Sequence, residues 1–217
     1  FFKQKTAYEI SLGLVGSEMC IRDSPDALER LYHILLKEPY LASYPELVFI
    51  GILPIIFTLV CGEDFAKYGF RRDGFWRSML YSLPPALLVA WLRGFPERGY
   101  GLTLPWNFYY AVLNLVAYGP LEVFFVVWLI ENTDEYLGSE AIPSEGSMAV
   151  PMIFGLSHVL WALHGDLVAA VVNAFMVSLV FLYFGVIYKY TRNIAGFITA
   201  WTLMNRQSLL SAIQCLV

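Results

Sequence analysis

DLVAAVVNAFMVSLVFLYFGVIYK, residues 166–189, holds an acid at its first position, a lysine at its last and no charge between them. Crossing the ~30 Å hydrocarbon core of a bilayer takes ~20 apolar residues as a helix. A soluble core helix rarely runs so long without a polar face. Five further apolar runs fall at about 45–62, 76–94, 105–131, 148–164 and 193–214. The expected fold is therefore all-α, a polytopic membrane bundle of about six transmembrane helices.

Composition points the same way. The chain is 58% hydrophobic and 15% charged, with a mean hydropathy of +0.59, against roughly 45–50% and 25% in a soluble domain. Lipid is expected to be the solvent for much of it, and the localisation integral and multi-pass. The net charge of −4 is too mild to imply nucleic acid as a partner. Membrane lipids are the partner that composition implies.

The first residues read FFKQKTAYEISLGLVGSEMCIRDS, Phe1 to Ser24. KQKTAYEI back-translates to a common sequencing-library primer, and MCIRDS to a transposase end used in building such libraries. Two matches in the expected order mark 1–24 as a translated adapter, to be set aside before the fold is considered. The expected domain is then 25–217, shortened at its N-terminus. Lys3, Lys5 and Arg22 balance Glu9, Glu18 and Asp23, so setting the segment aside leaves the charge at −4. Residues 25–45 place Leu28, Leu31, Ile34 and Leu35 at helical spacing, an interfacial helix or the end of a further span. Cys61 and Cys215 lie in or beside apolar runs and read as buried structural thiols.

Breaks in the runs carry information. Pro84-Pro85 and Gly119-Pro120 should each kink a helix and release backbone groups. The longest polar connection, ENTDEYLGSEAIPSEGS at 131–147, has five acids and no Lys or Arg, and reads as an exposed loop on what is here called side A. That side also gathers Lys67, Arg71, Arg72, Arg77, Lys189 and Arg192, against Arg30, Lys37, Arg93, Arg98 and Arg206 elsewhere. The positive-inside rule then favours side A as cytoplasmic.

Ionisable groups at membrane depth mark function by default. Here they are Glu122, His158 and Arg206, with Asn114, Asn173 and Asn205 as polar companions. At 1.5 Å per residue, Glu122 lies ~14 Å and His158 ~15 Å from side A, while Trp201 and Asn205 fall at ~12 and ~18 Å. Asn173, at ~25 Å, belongs to another layer. Three separated helices thus bring an acid, an imidazole and an amide to one level. A polar layer that bonds helices together would present the same pattern.

Phe154 to His158, FGLSH, resembles the FxxxH motif of the CAAX protease and bacteriocin-processing family, whose best-known branch is the Ras-converting CAAX endopeptidase. Downstream, FLYFGVIYKYTRNIAGFITAWTLMN resembles that family's apolar helix, Tyr and Thr-Arg turn, and final helix ending in HxxxN. In WTLMN, Asn205 matches and Trp201 stands where histidine is expected. The first motif, EExxxR, falls on GPLEVFFVVW, where Glu122 is the one glutamate and the arginine is absent. If Glu122 matches the first family glutamate, the water-activating acid is kept; if it matches the second, with Leu121 first, that acid is gone. The resemblance covers about 105–206.

The resemblance implies an intramembrane endopeptidase acting on prenylated or membrane-embedded protein substrates, or an inactive relative that binds a membrane partner. In the active reading Glu122 is the base for water, His158 orients the water or donates to the oxyanion, and Asn205 is a further donor. Trp201 and Phe154 are then the candidate binding residues. No cofactor is called for, and Glu122 with His158 is too thin a ligand set for zinc.

Overall fold

A computed structural model describes residues 46–92, 115–159 and 167–205. The chain divides into two units, Phe1–Pro45 and Glu46–Val217, and all described residues belong to the second. The adapter segment, the helix expected over 25–45, Asn114, His164, Arg206 and Cys215 lie outside the described residues.

Every regular element among the described residues is helical, as the apolar periodicity predicts. A π-helical stretch, Glu46–Ile52, runs into α1 (Leu53–Val60), and a short 3-10 turn, Phe65–Tyr68, leads to α2 (Phe75–Leu92). A second π-helical stretch, Ala117–Leu121, opens α3 (Glu122–Leu137). Three helices follow: α4 (Glu145–Ser157), α5 (Leu167–Thr191) and α6 (Ala195–Met204). Among the described residues α5 alone is long and apolar enough to cross a membrane, with a mean hydropathy of 2.4 over its best window. The other five expected runs reach into residues that are not described.

α3 is the central helix. Val123, Phe124, Val126, Val127 and Ile130 are buried on it, in one hydrophobic core with Phe181 and Phe184 of α5 and Phe197, Ala200 and Met204 of α6. Its neighbours pack closely because small residues let backbones approach. A Cβ at Gly155 of α4 would lie 2.4 Å from the Ser178 backbone of α5, and one at Gly196 of α6 would lie 2.2 Å from the Ser78 carbonyl of α2. Helix pairs α4–α5 and α2–α6 are thus locked backbone to backbone.

The two proline sites resolve differently. α2 continues through Pro84 and Pro85, and the Tyr81 carbonyl, which has no N–H to receive from Pro85, accepts the Tyr183 hydroxyl of α5 at 2.9 Å. At Gly119-Pro120 the chain widens into the π turn instead. Tyr183→Phe is expected to lower stability by about 1 kcal/mol, the usual net value of one hydrogen bond, read as a lower midpoint in denaturant with an unchanged slope.

Two expectations are corrected. Cys61, expected to be buried, is exposed, because it caps the C-terminus of α1 where the helix has already ended. The stretch 131–147 is not an exposed loop throughout: α3 extends to Leu137, and Glu131 and Asp134 are buried. They are buried because cations from a distant helix neutralise them, as described below.

Candidate functional site

Glu122 is the first residue after the π turn and is buried. The turn sends its N–H back to the Ala117 carbonyl, five residues away instead of four. The Tyr118 carbonyl accepts the side-chain amide of Asn205 at 2.9 Å. One helical turn along, the Trp201 indole N–H donates to Glu122 Oε2 at 2.5 Å. Tyr118 with Asn205 and Glu122 with Trp201 are two rungs, four residues apart on each side, between antiparallel helices. Gly119 makes the approach possible, since a Cβ there would stand 2.5 Å from Thr202 Oγ1.

Of the residues expected to act together, Glu122, Trp201 and Asn205 therefore meet on the α3–α6 seam. His158 does not join them. It caps the C-terminus of α4, half-buried, with Nδ1 3.2 Å from the Phe154 carbonyl of its own helix. Its ring stands edge-on to Phe154 at 5.4 Å between centroids; Phe154 meets Phe181 at 4.6 Å, and Phe181 meets Trp201 at 4.5 Å. A series of ring contacts through Phe154 and Phe181 thus leads from the imidazole to Trp201, and Trp201 bonds the carboxylate. Phe154 and Trp201, expected to bind substrate, are members of that series, with Trp201 itself buried. Asn173 is exposed on α5 and takes no part.

A second constellation lies where α3 and α5 end and α4 begins. Lys189 Nζ is 3.1 Å from Glu131 Oε1 and 2.8 Å from Asp134 Oδ2, and all three side chains are more than nine-tenths buried. Arg192 Nη1 reaches Glu131 at 2.8 Å. Asp134 also accepts the Ser144 hydroxyl at 2.6 Å and the Gly146 N–H at 2.7 Å, so one carboxylate ties the first turn of α4 to α3 and α5. Ser144 and Ser147 close a capping box on that turn, which satisfies backbone donors the helix leaves open. Beside this knot is a cleft of about 530 Å³ whose walls include Lys67, Glu135, Ser139, Glu140 and Arg192.

Lys67 sits 2.9 Å from Glu63 and 2.6 Å from Glu135. Burial alone would lower its ammonium, but the two carboxylates outweigh burial and hold it above its ordinary value, so it stays charged. The neighbouring Tyr68 phenol donates to Glu63 and is pushed up to about 12, first by burial and then by that bond. Asn193, almost fully buried, binds the carbonyls of Arg71 and Asp73 at 2.5 and 3.0 Å. It thereby clamps the turn before α2 onto the turn before α6. The sequence reading missed this cluster, although Lys189, Arg192 and five nearby acids were all visible in it. The missing signal was their pairing across 58 residues, which no local pattern encodes.

Among the described residues, no group of three or more His, Cys, Asp and Glu is placed to hold a metal ion. No protein-family model, curated protein or solved structure matches this chain.

Proposed function

We propose that this chain is a multi-pass membrane bundle of the CAAX protease and bacteriocin-processing type in which the Glu122 site joins helices instead of hydrolysing peptide, so that the protein acts as a membrane-embedded binding partner. The observation that carries this reading is the 2.5 Å bond from Trp201 to Glu122. A general base takes its proton on a carboxylate oxygen, and this bond engages Oε2 of the only glutamate at the site among the described residues. Indole is a donor with no acceptor nitrogen, so at a position where the family resemblance expects imidazole it cannot pass a proton on. Trp201 is itself buried and packed against Phe181, which in turn meets Phe154, so the indole is held in a core contact.

The bilayer part of the reading is supported by outward apolar residues that no packing explains. Leu167, Val168, Val171, Val172 and Phe175 of α5 are exposed, as are Leu59 and Val60 of α1 and Ile153 of α4. Soluble monomers seldom expose patches of that extent. Extraction of membranes with alkaline carbonate is expected to leave the protein in the pellet, and its release into the supernatant would remove this part.

Hydrolysis is the second reading, favoured by one feature: Glu122 is a buried carboxylate beside a π turn, one helical turn from the Asn205 amide. Such turns recur at functional sites. The two readings part in one assay on protein reconstituted in vesicles with prenylated and transmembrane peptides. The wild type is expected to release no product, and Glu122→Gln to be indistinguishable from it. Cleavage by the wild type that falls ~10²–10⁴-fold in Glu122→Gln, as for a lost general base, would replace the binding reading with the hydrolytic one. Trp201→His belongs in the same assay, because it restores the imidazole; activity appearing in that variant alone would mark Trp201 as the residue that silences the site.

A further inference from the structure

The cleft at the end of α5 carries both signs of charge. Lys67, Lys189 and Arg192 line it against Glu131, Asp134, Glu135 and Glu140, so neither a simple anion nor a simple cation complements it. At the floor, Lys189, Glu131 and Asp134 satisfy one another. Higher on the walls, donors remain. Arg192 gives Nη1 to Glu131, which leaves Nη2 and Nε for a further acceptor, and a guanidinium edge matches paired phosphate oxygens. Lys67 directs two bonds at Glu63 and Glu135, and an ammonium has a third donor.

Arg192 also holds φ at 54°, a left-handed backbone that a side-chain-bearing residue adopts at a cost and that clusters at ligand sites. Glu135 and Glu140 are exposed on the rim, where they offer carboxylate oxygens to a cationic group. The volume of about 530 Å³ lies in the ~300–1,000 Å³ range of small-molecule sites. The described lining holds no aromatic ring. A primary ammonium, which hydrogen-bonds to carboxylates, therefore suits it better than a quaternary one, which is recognised by aromatic faces.

We propose that this cleft binds a phosphoethanolamine group, with its phosphate against Arg192 and Lys67 and its ammonium against Glu135 and Glu140. The cleft lies where the apolar stretch of α5 gives way to Lys189 and Arg192, the level of lipid headgroups if α5 crosses a bilayer. Phosphatidylethanolamine is then the natural source and free O-phosphoethanolamine the other. The choice of source rests on the bilayer part of the proposed function; the site itself rests on neither that part nor the Glu122 chemistry.

The test is the melting temperature of the full chain in detergent, with and without phosphatidylethanolamine, phosphatidylcholine, phosphatidylglycerol or free O-phosphoethanolamine. A ligand that binds the folded state raises the midpoint in proportion to its saturation. Phosphatidylethanolamine is expected to raise it, and the choline and glycerol lipids to leave it nearly unchanged. Arg192→Gln and Glu140→Gln should each remove at least half of that shift; Glu140 is exposed, so its variant should melt with the wild type when no ligand is present. Stabilisation by free O-phosphoethanolamine alone would keep the site and remove the bilayer source. Equal stabilisation by phosphatidylcholine or phosphatidylglycerol, no shift with either phosphoethanolamine ligand, or a full shift in Glu140→Gln would each overturn the proposal.

Discussion

Lys189→Met is expected to destabilise the folded chain by about 3–5 kcal/mol, the cost of leaving a buried charge without its partner. Glu131 would keep Arg192 at 2.8 Å, while Asp134 would keep only the Ser144 hydroxyl and the Gly146 N–H. The loss should appear as a melting temperature lower by roughly 6–20 °C for a chain of this size. A second variant separates charge from packing. Methionine matches the length of lysine, so adding Asp134→Asn to Lys189→Met removes the orphaned charge and should restore at least a third of the loss. If the double variant melts lower than the single one, the carboxylate is stabilised by its α4 donors, and the ion pair is not what holds these helices.

The next largest effect is expected at Trp201. Trp201→Phe keeps a ring in the aromatic series with Phe181 but removes the donor to Glu122. A buried acceptor left short of a partner costs ~1–3 kcal/mol, more when it is charged, and the smaller ring adds a cavity. A total of about 2–4 kcal/mol follows. Glu122→Gln should cost less, since the amide oxygen still accepts from the indole. In a double-mutant cycle the Trp201→Phe and Glu122→Leu changes should show a coupling of about 1.5–3 kcal/mol, the range of hydrogen bonds to charged groups. Additive losses would mean that the indole and the carboxylate do not act on each other, and the structural reading of this pair would fail with them.

How far the site could be read in advance is visible in its three helices. Counting 1.5 Å per residue from the span ends put Glu122 between the levels of Trp201 and Asn205, and α3 and α6 do bring Glu122 to Trp201, with Asn205 one turn away. The same count put His158 at that level, and the imidazole does not reach the carboxylate. Height along a helix is fixed by residue number, but azimuth depends on which face packs, and α4 turns Gly155 and Pro151 inward while His158 ends the helix half-exposed. Gly119-Pro120 was legible as a break, but not that it would widen into a turn that seats Asn205 on the Tyr118 carbonyl.

Local composition was enough to establish that the regular elements are helices, that α5 carries no charge before Lys189, and that few polar groups lie deep within the apolar runs. Each of these follows from local composition and period, which depend on neighbours a few residues apart. Long-range packing decided that Trp201 donates to Glu122, that the Phe154 ring beside His158 packs on Phe181, and that Glu131 and Asp134 lie buried against Lys189 and Arg192. Those outcomes depend on pairings between residues 20 to 79 positions apart. A carboxylate buried beside a cation and one exposed to water carry the same letter, and what separates them is whether packing brings the cation within about 3 Å.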